Sequence, residues 1–134
     1  MRPCRREDVD AVLEMWARAR SSHASTPDRR EDVERLVEES PGALLVAESG
    51  EKIVGAVIAA WDGWRGNIYR LAVDAARRRS GIGLQLVRAA EEHLRDRGAL
   101  RVTALVAYEG EAGPFWDAAG YPQDTEIGRR VRNV

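Results

Sequence analysis

The sequence contains very little cysteine, lysine and phenylalanine, and it has no long apolar run. Its single cysteine, Cys4, excludes an internal disulfide and any cysteine-based metal site. No segment is long and apolar enough to span a bilayer, and the arginines near the start are not followed by the apolar core of a signal peptide. We therefore expect a cytoplasmic protein without a metal and without a membrane partner.

The charge balance also lacks a dominant sign. The 134 residues carry a formal net charge of −1, with 32% charged and 44% hydrophobic residues. This composition is typical of a soluble globular protein and does not indicate a nucleic-acid partner. Because a chain of this length supports one hydrophobic core, we expect a single domain over residues 1–134, as a monomer or a homodimer.

Hydrophobic periodicity and turn residues predict the element order β-α-α-β-β-β-α-β-α-β. The predicted strands span residues 1–4, 43–48, 52–61, 67–73, 100–108 and 125–131. The predicted helices span residues 7–20, 28–40, 81–97 and 112–119, and Asp28 is the expected cap of the second helix. This order predicts an α+β fold with a mixed, largely antiparallel sheet and helices on its faces.

The segment 71–84, with the sequence LAVDAARRRSGIGL, is the most informative part of the chain. An apolar strand leads into an arginine-rich turn, then into Gly81 and Gly83, and then into an amphipathic helix. Glycines at this junction leave backbone N–H groups uncovered at a helix N-terminus, where the helix dipole also favours an anion. The segment therefore predicts a pyrophosphate-binding site.

The residues around Gly83 limit which pyrophosphate-containing ligand can bind. A Walker A loop needs Lys and then Ser or Thr after its second glycine, but Leu84 and Gln85 follow here. A dinucleotide-binding fingerprint needs a small residue three positions after its second glycine, and the chain has Leu86 at that position. The pattern Arg78-x-x-Gly81-x-Gly83 instead resembles the acetyl-coenzyme A signature of the GNAT acetyltransferases.

Two further segments and the element order support this resemblance over essentially the whole chain. The segment 115–121 resembles the late Phe-Tyr-x-x-x-Gly-Phe/Tyr segment of the family, and the loop 62–66 resembles a loop of one small bacterial branch. The resemblance implies a GNAT fold with six to seven strands and four helices. It also implies an N-acetyltransferase that uses acetyl-CoA and acts on a small-molecule or peptide amine.

The resemblance further implies which residues hold the cofactor. The pantetheine arm would pair with the edge of strand 71–73, where that strand splays from 102–108, and a backbone N–H near Val73 would face the thioester oxygen. The cofactor-binding residues would be Leu71, Ala72, Val73, Arg78, Arg79, Ser80, Gly81, Ile82, Gly83, Leu84 and Trp116.

The chain departs from the family pattern at both usual acid–base positions. Asn67 stands where many members have a glutamate base, and Trp116 stands where many have a tyrosine acid. Three replacements remain open. Glu109 is the best side-chain candidate for a relayed base, Tyr108 or Tyr121 could supply a hydroxyl, and water with proximity alone could suffice. We favour the last account, with Glu109, Asn67 and Tyr108 as the catalytic candidates.

Other interpretations follow from the same departures. A fold that keeps coenzyme A but lacks both side chains could act as a catalytically weak or inactive regulatory module, and a different acyl donor or a non-amine nucleophile is a weaker alternative. Acidic residues outnumber basic ones by ten to seven in segment 5–41, which mildly favours a cationic acceptor. Trp61 and Trp64 are expected either to wall an acceptor pocket or to pack in the core.

Overall fold

The computed structural model describes residues 1–19, 26–107 and 110–134. The strands are β1 (Arg2–Pro3), β2 (Leu44–Ser49), β3 (Lys52–Trp61), β4 (Gly66–Val73) and β5 (Val102–Ala104). The α-helices are α1 (Val9–Ala19), α2 (Arg30–Glu39), α3 (Ile82–Asp96) and α4 (Ala112–Ala118). Short 3₁₀ turns at Arg6–Asp8 and Ala75–Arg77 precede α1 and the loop before α3.

The strands form one mixed sheet in the order β1-β2-β3-β4-β5. Every neighbouring pair is antiparallel except β4 and β5, which are parallel. Hairpins join β2 to β3 and β3 to β4, whereas β4 reaches β5 through α3, as a parallel connection requires. The α+β class, the four helices and the mostly antiparallel sheet predicted from the sequence are therefore confirmed.

Helices cover both faces of the sheet and create two apolar cores. On one face α3 buries Leu86, Val87, Ala90 and Leu94, together with Trp116 of α4. On the other face α1 and α2 bury side chains at helical spacing, namely Val9, Val12, Met15, Trp16 and Val33. We call these the α3 face and the α1 face. No helix in the described part of the chain is long and apolar enough to cross a membrane.

The sheet is smaller than the sequence predicts. The described residues form five strands rather than six to seven, and residues 122–134 form no strand, so the predicted strand 125–131 is wrong. Only Ile127 and Val131 are large apolar residues in that predicted strand, and both are exposed without a paired neighbour. β5 is also shorter than predicted because it pairs only with Gly66–Ile68.

The start of α2 differs from the prediction in its cap. The helix begins after Arg29, whose side chain makes no capping hydrogen bond. The carboxylate of Asp28, the predicted cap, lies 2.8 Å from the guanidinium of Arg70 on β4 instead. Asp28 therefore pairs with Arg70, a residue distant in the sequence, although the local sequence predicts that it caps the helix.

Candidate active site

β4 and β5 separate halfway along β4, and this separation opens a strand edge. β5 pairs with β4 from Gly66 to Ile68, and β4 then continues to Val73. β3 occupies the other edge of β4, with Gly55 opposite Val73. Within the described chain, the edge of β4 from Tyr69 to Val73 that faces away from β3 has no strand partner. A peptide-like ligand can pair with such an edge.

A β-bulge at Arg70 lies where the two strands separate. The register passes from Ile58 opposite Tyr69 to Ala56 opposite Ala72, so one residue of β3 faces two of β4. Arg70 has φ +53°, a left-handed conformation that costs a side-chain-bearing residue about 1–2 kcal/mol. Bulges bend the strand that carries them, which accounts for β4 turning away from β5 after Ile68.

The bulge leaves the two sides of β4 with different chemistry. Leu71 and Val73 pack against the core of the α3 face. Ile68 packs in the core of the α3 face. Because side chains alternate along a strand, its neighbours Asn67 and Tyr69 point to the α1 face. Arg70 reaches the same face, where its guanidinium pairs with Asp28. β4 thus carries apolar side chains on the α3 face and the polar groups of Asn67, Tyr69 and Arg70 on the α1 face.

The N-terminus of α3 has free backbone donors. Gly81 precedes the helix with φ +85°, and no side chain caps it. The first helical bond runs from the Gln85 N–H to the Gly81 carbonyl at 3.0 Å, so the N–H groups before Gln85 have no partner within the helix. These donors and the helix dipole favour an anion at this point.

Of the three arginines in the turn before α3, one side chain makes a hydrogen bond and two are free to meet an anion. The Arg77 guanidinium donates to the Ser49 hydroxyl at 3.3 Å, and the Ser80 hydroxyl donates to the Arg77 carbonyl. The exposed Arg78 and Arg79 side chains make no hydrogen bond or ion pair with any residue that the structure describes. They can therefore meet an anion at the start of α3 without losing an existing contact.

Asp74 orders this turn at the end of β4. Its carboxylate accepts a hydrogen bond from the Ala76 N–H at 3.2 Å and lies 3.3 Å from Lys52 Nζ. The bond from Ala76, and after it the ammonium of Lys52, hold the pKa of the Asp74 carboxyl below its usual value. Asp74 is therefore charged at neutral pH and fixes the turn between the open edge and α3.

Gly81 and Gly83 serve two different structural purposes. Gly81 provides the left-handed turn, and a Cβ added there would meet no atom within 4 Å. A Cβ on Gly83 would lie 3.2 Å from Phe115 Cε2 and 3.7 Å from Val73 Cγ2. Gly83 therefore allows the end of β4, the start of α3 and the Phe115 ring to pack closely.

Trp116 and Tyr121 of the late aromatic segment pack in or against the core rather than presenting groups to the edge. Trp116 is buried in the core of the α3 face, with its ring edge-on to Phe115 at 5.4 Å and to Tyr121 at 5.0 Å. The Tyr121 hydroxyl donates to Glu91 at 2.9 Å. Burial, followed by this bond to Glu91, raises the pKa of Tyr121 above its usual value.

Glu91 also fixes where the Tyr121 hydroxyl lies relative to the candidate site. At 1.5 Å of rise per residue, Glu91 is about 12 Å along α3 from Gly83. The hydroxyl of Tyr121 is therefore held away from the start of α3 and is a poor candidate for protonating a thiolate at the open edge.

The structure brings most of the predicted site residues together, and two of them lie outside the described residues. The segments Leu71–Val73 and 78–84 meet at the junction of β4 and α3, and Asn67 lies in the paired part of β4 opposite Thr103. Tyr108 and Glu109 lie outside the described residues. Sequence reasoning missed the Arg70 bulge and Tyr69, since neither residue type signals a bend or a polar face.

The two tryptophans near the β3–β4 hairpin have different surroundings. Trp61 packs against the core of the α3 face. Trp64 is 77% exposed at the hairpin, with the Arg65 guanidinium 4.5 Å from its ring centre. Trp64 therefore does not pack in the core, and its place in an acceptor-pocket wall stays a prediction.

Comparison with known proteins gives one consistent family. Residues 9–121 match the model of the acetyltransferase (GNAT) family. An acetyltransferase of Pectobacterium atrosepticum is 33% identical over 108 residues, which cover 81% of this chain and 76% of that protein. The family match extends over all the elements that form the candidate site.

Solved structures share the fold at low sequence identity. A GCN5-related N-acetyltransferase from Ralstonia eutropha is 21% identical with a TM-score of 0.72, and the match covers 97% of this chain and 96% of that one. A Mycobacterium tuberculosis protein in complex with CoA is 24% identical with a TM-score of 0.72, covering 89% of this chain and 69% of that one.

Proposed function

Since the chain belongs to the acetyltransferase (GNAT) family, we propose that it transfers an acetyl group from acetyl-CoA to a small-molecule or peptide amine. One observation carries the proposal: the unpaired edge of β4 ends directly beside the uncapped N-terminus of α3. A peptide-like arm and a pyrophosphate can bind there at the same time, and coenzyme A contains both. The fold neighbour solved in complex with CoA supports this choice of cofactor.

In this proposal the cofactor lies across the junction of β4 and α3. The pyrophosphate accepts hydrogen bonds from the N–H groups of residues 81–84 and pairs with Arg78 and Arg79. The pantetheine arm adds to the edge of Leu71–Val73 as a further strand. Phe115 borders the arm beside Gly83, and the buried Trp116 supports the Phe115 ring from beneath.

The amine attacks the thioester carbonyl carbon from the α1 face. That face carries the polar side chains of Asn67 and Tyr69, whereas Leu71 and Val73 make the α3 face apolar. A new C–N bond forms, the carbonyl oxygen becomes an oxyanion held by a backbone N–H of β4, and the C–S bond then breaks. The sulfur leaves as the coenzyme A thiolate, and the attacking nitrogen releases its proton.

We propose that water carries this proton. Asn67 cannot accept it at neutral pH, and Trp116 has no acidic proton to give. A fraction of free amine already exists at neutral pH, and holding the amine beside the thioester supplies much of the rate. Glu109 is the best side-chain alternative as a relayed base, and Tyr108 is a possible source of a hydroxyl at the sulfur.

The β3–β4 hairpin supports a place in the small bacterial branch with the loop Asp62-Gly63-Trp64-Arg65-Gly66. The Asp62 carboxylate accepts the N–H groups of Trp64 at 2.8 Å and Arg65 at 2.6 Å. The bond from Arg65, followed by that from Trp64, lowers the pKa of the Asp62 carboxyl. We propose that the residues of this loop motif form the turn and take no part in the chemistry.

A second candidate function is a coenzyme A-binding regulatory module with little or no transfer. The absence of a base at Asn67 and of an acid at Trp116 favours it. Two measurements on the purified protein separate the candidates: calorimetric affinity for coenzyme A, and thiol release from acetyl-CoA over a panel of amines. The panel contains a polyamine, an amino sugar, an amino acid and a peptide with a free N-terminus. A transferase binds coenzyme A and releases thiol from acetyl-CoA, whereas a regulatory module binds coenzyme A without releasing thiol.

A further inference from the structure

Arg70 connects the bulge of β4 to the segment that begins α2. Its terminal nitrogen lies 2.8 Å from Asp28 Oδ1 and also donates to the Thr26 carbonyl. Arg70 and Thr26 are 44 positions apart in the sequence, so it is the fold that brings them together. One guanidinium therefore holds two points of a distant segment against the strand that forms the open edge.

This ion pair differs from those on the surface of the molecule. The Arg70 and Asp28 side chains are 22% and 14% exposed. The neighbouring Arg29–Asp32 pair is 66% and 41% exposed, and it joins residues of the same helical turn. A shielded pair that joins distant elements fixes their relative position, whereas an exposed local pair contributes little.

The backbone at Arg70 supports a positional role. Arg70 adopts the left-handed conformation at φ +53°, which a long side chain rarely takes, and such residues concentrate at functional sites. In this conformation its side chain points to the α1 face beside Tyr69, where the amine approaches in the proposed reaction. The bulge thus opens the cofactor edge and directs the guanidinium to the acceptor side.

We infer that Arg70 is a positioning residue for the acceptor, acting through Asp28 and the Thr26 carbonyl. The pair holds the start of α2 against β4 and thereby sets the shape of the acceptor side of the site. This inference rests on the proposed acetyl transfer. It predicts that breaking the pair weakens acceptor use and leaves the cofactor site, on the other side of β4, intact.

The test uses Arg70→Asn and Asp28→Asn, each alone and together. Asparagine tolerates the left-handed conformation, so Arg70→Asn keeps the bulge and removes only the guanidinium. Asp32→Asn is the matched control, because Asp32 is also an aspartate paired with arginine in the same segment. The acceptor is the amine of the panel that the unaltered protein acetylates fastest, measured beside calorimetric affinity for coenzyme A and thermal stability.

We expect the acceptor KM to rise roughly tenfold in each single variant, with kcat changed less than about threefold. The double variant should be no worse than Arg70→Asn alone, because that substitution already removes the pair with Asp28. Coenzyme A affinity should stay within about twofold, and Asp32→Asn should resemble the unaltered protein. A loss of stability without a change in acceptor KM would mean that the pair is only structural and would overturn the inference.

Two further outcomes are also decisive. A parallel fall in coenzyme A affinity would place Arg70 on the cofactor side and would overturn the inference. Absence of turnover in the unaltered protein would contradict the transfer itself, and the inference with it. The two failures are distinguishable, because the first appears only in the variants and the second already appears before any substitution.

Discussion

Gly83 and Phe115 are in direct contact where α3 begins: Phe115 Cε2 lies 3.2 Å from the position that a Cβ of Gly83 would occupy. Val73 Cγ2 borders the same position at 3.7 Å. The second glycine of the motif is therefore required by packing, and in the proposed site by ligand approach as well. A side chain at this position would disturb the end of β4, the start of α3 and Phe115 together.

Gly83→Val should weaken coenzyme A binding more than about tenfold, because overpacking here costs about 1–3 kcal/mol and shifts Phe115 or the start of α3. Calorimetry and thermal unfolding on the same protein measure both effects. The control is Gly83→Val with Phe115→Leu, where the smaller side chain should recover part of the stability. Unchanged affinity in a folded Gly83→Val protein would contradict this role of Gly83.

Arg78→Gln should weaken coenzyme A binding about tenfold, because a hydrogen bond to a charged group contributes about 1.5–3 kcal/mol. The remaining affinity should depend less on salt, since one charge pair with phosphate has been removed. Arg95→Gln is the control, because Arg95 is an exposed arginine in the last turn of the same helix. Equal effects of the two substitutions would show that only net charge matters and that Arg78 does not contact the phosphates.

Tyr121→Phe should lower the free energy of unfolding by about 2 kcal/mol and leave turnover unchanged. The hydroxyl donates to Glu91 at 2.9 Å and is held away from the open edge. Urea unfolding and initial rates measure the two quantities. A large loss of turnover with normal stability would instead identify Tyr121 as the acid.

The raised pKa of Tyr121 adds a pH dependence with a definite sign. The folded state favours the neutral phenol, so this contribution is fully present below about pH 10, the usual tyrosine pKa. It is lost as the pH rises from there through the higher folded-state pKa. The alkaline loss of stability should therefore be smaller in Tyr121→Phe than in the unaltered protein.

Glu109→Gln and Asn67→Ala together test the account in which water carries the proton. Each should lower kcat less than about tenfold, and the rate should rise with pH only as the amine loses its proton. A roughly hundredfold fall in Glu109→Gln with intact coenzyme A affinity would assign the base to Glu109. A fall of about a thousandfold in Asn67→Ala would show that Asn67 organises the proton path.

The sequence alone predicts the structure of the loop before α3 well, because its signals are local. Gly81 adopts the left-handed turn that a glycine before a helix suggests, and the buried positions of α3 follow the 3.6-residue period. The turn residues likewise predict the hairpins on either side of β3. In each case a few adjacent residues determine the structure.

The remaining features depend on contacts that the local sequence does not encode. Arg70 has no intrinsic preference for a left-handed conformation, so the bulge arises from pairing of β4 with β3 and from the distant Asp28. Segment 125–131 has the composition of a strand but pairs with none. Trp64 is exposed because it lies in the turn between β3 and β4, and hydrophobic periodicity does not give the exposure of a turn residue.

Measuring both products of the reaction tests the central claim most directly. The protein is incubated with acetyl-CoA and each amine of the panel, and free thiol and acetylated amine are quantified in the same samples. Cys4 should not contribute to the thiol signal, because burial raises its pKa to about 11. We predict that at least one amine gives thiol and acetylated product in equal amounts, and that Arg78→Gln slows both alike. Tight binding of coenzyme A with no acetylated product from any amine would contradict the transferase account and favour the regulatory module.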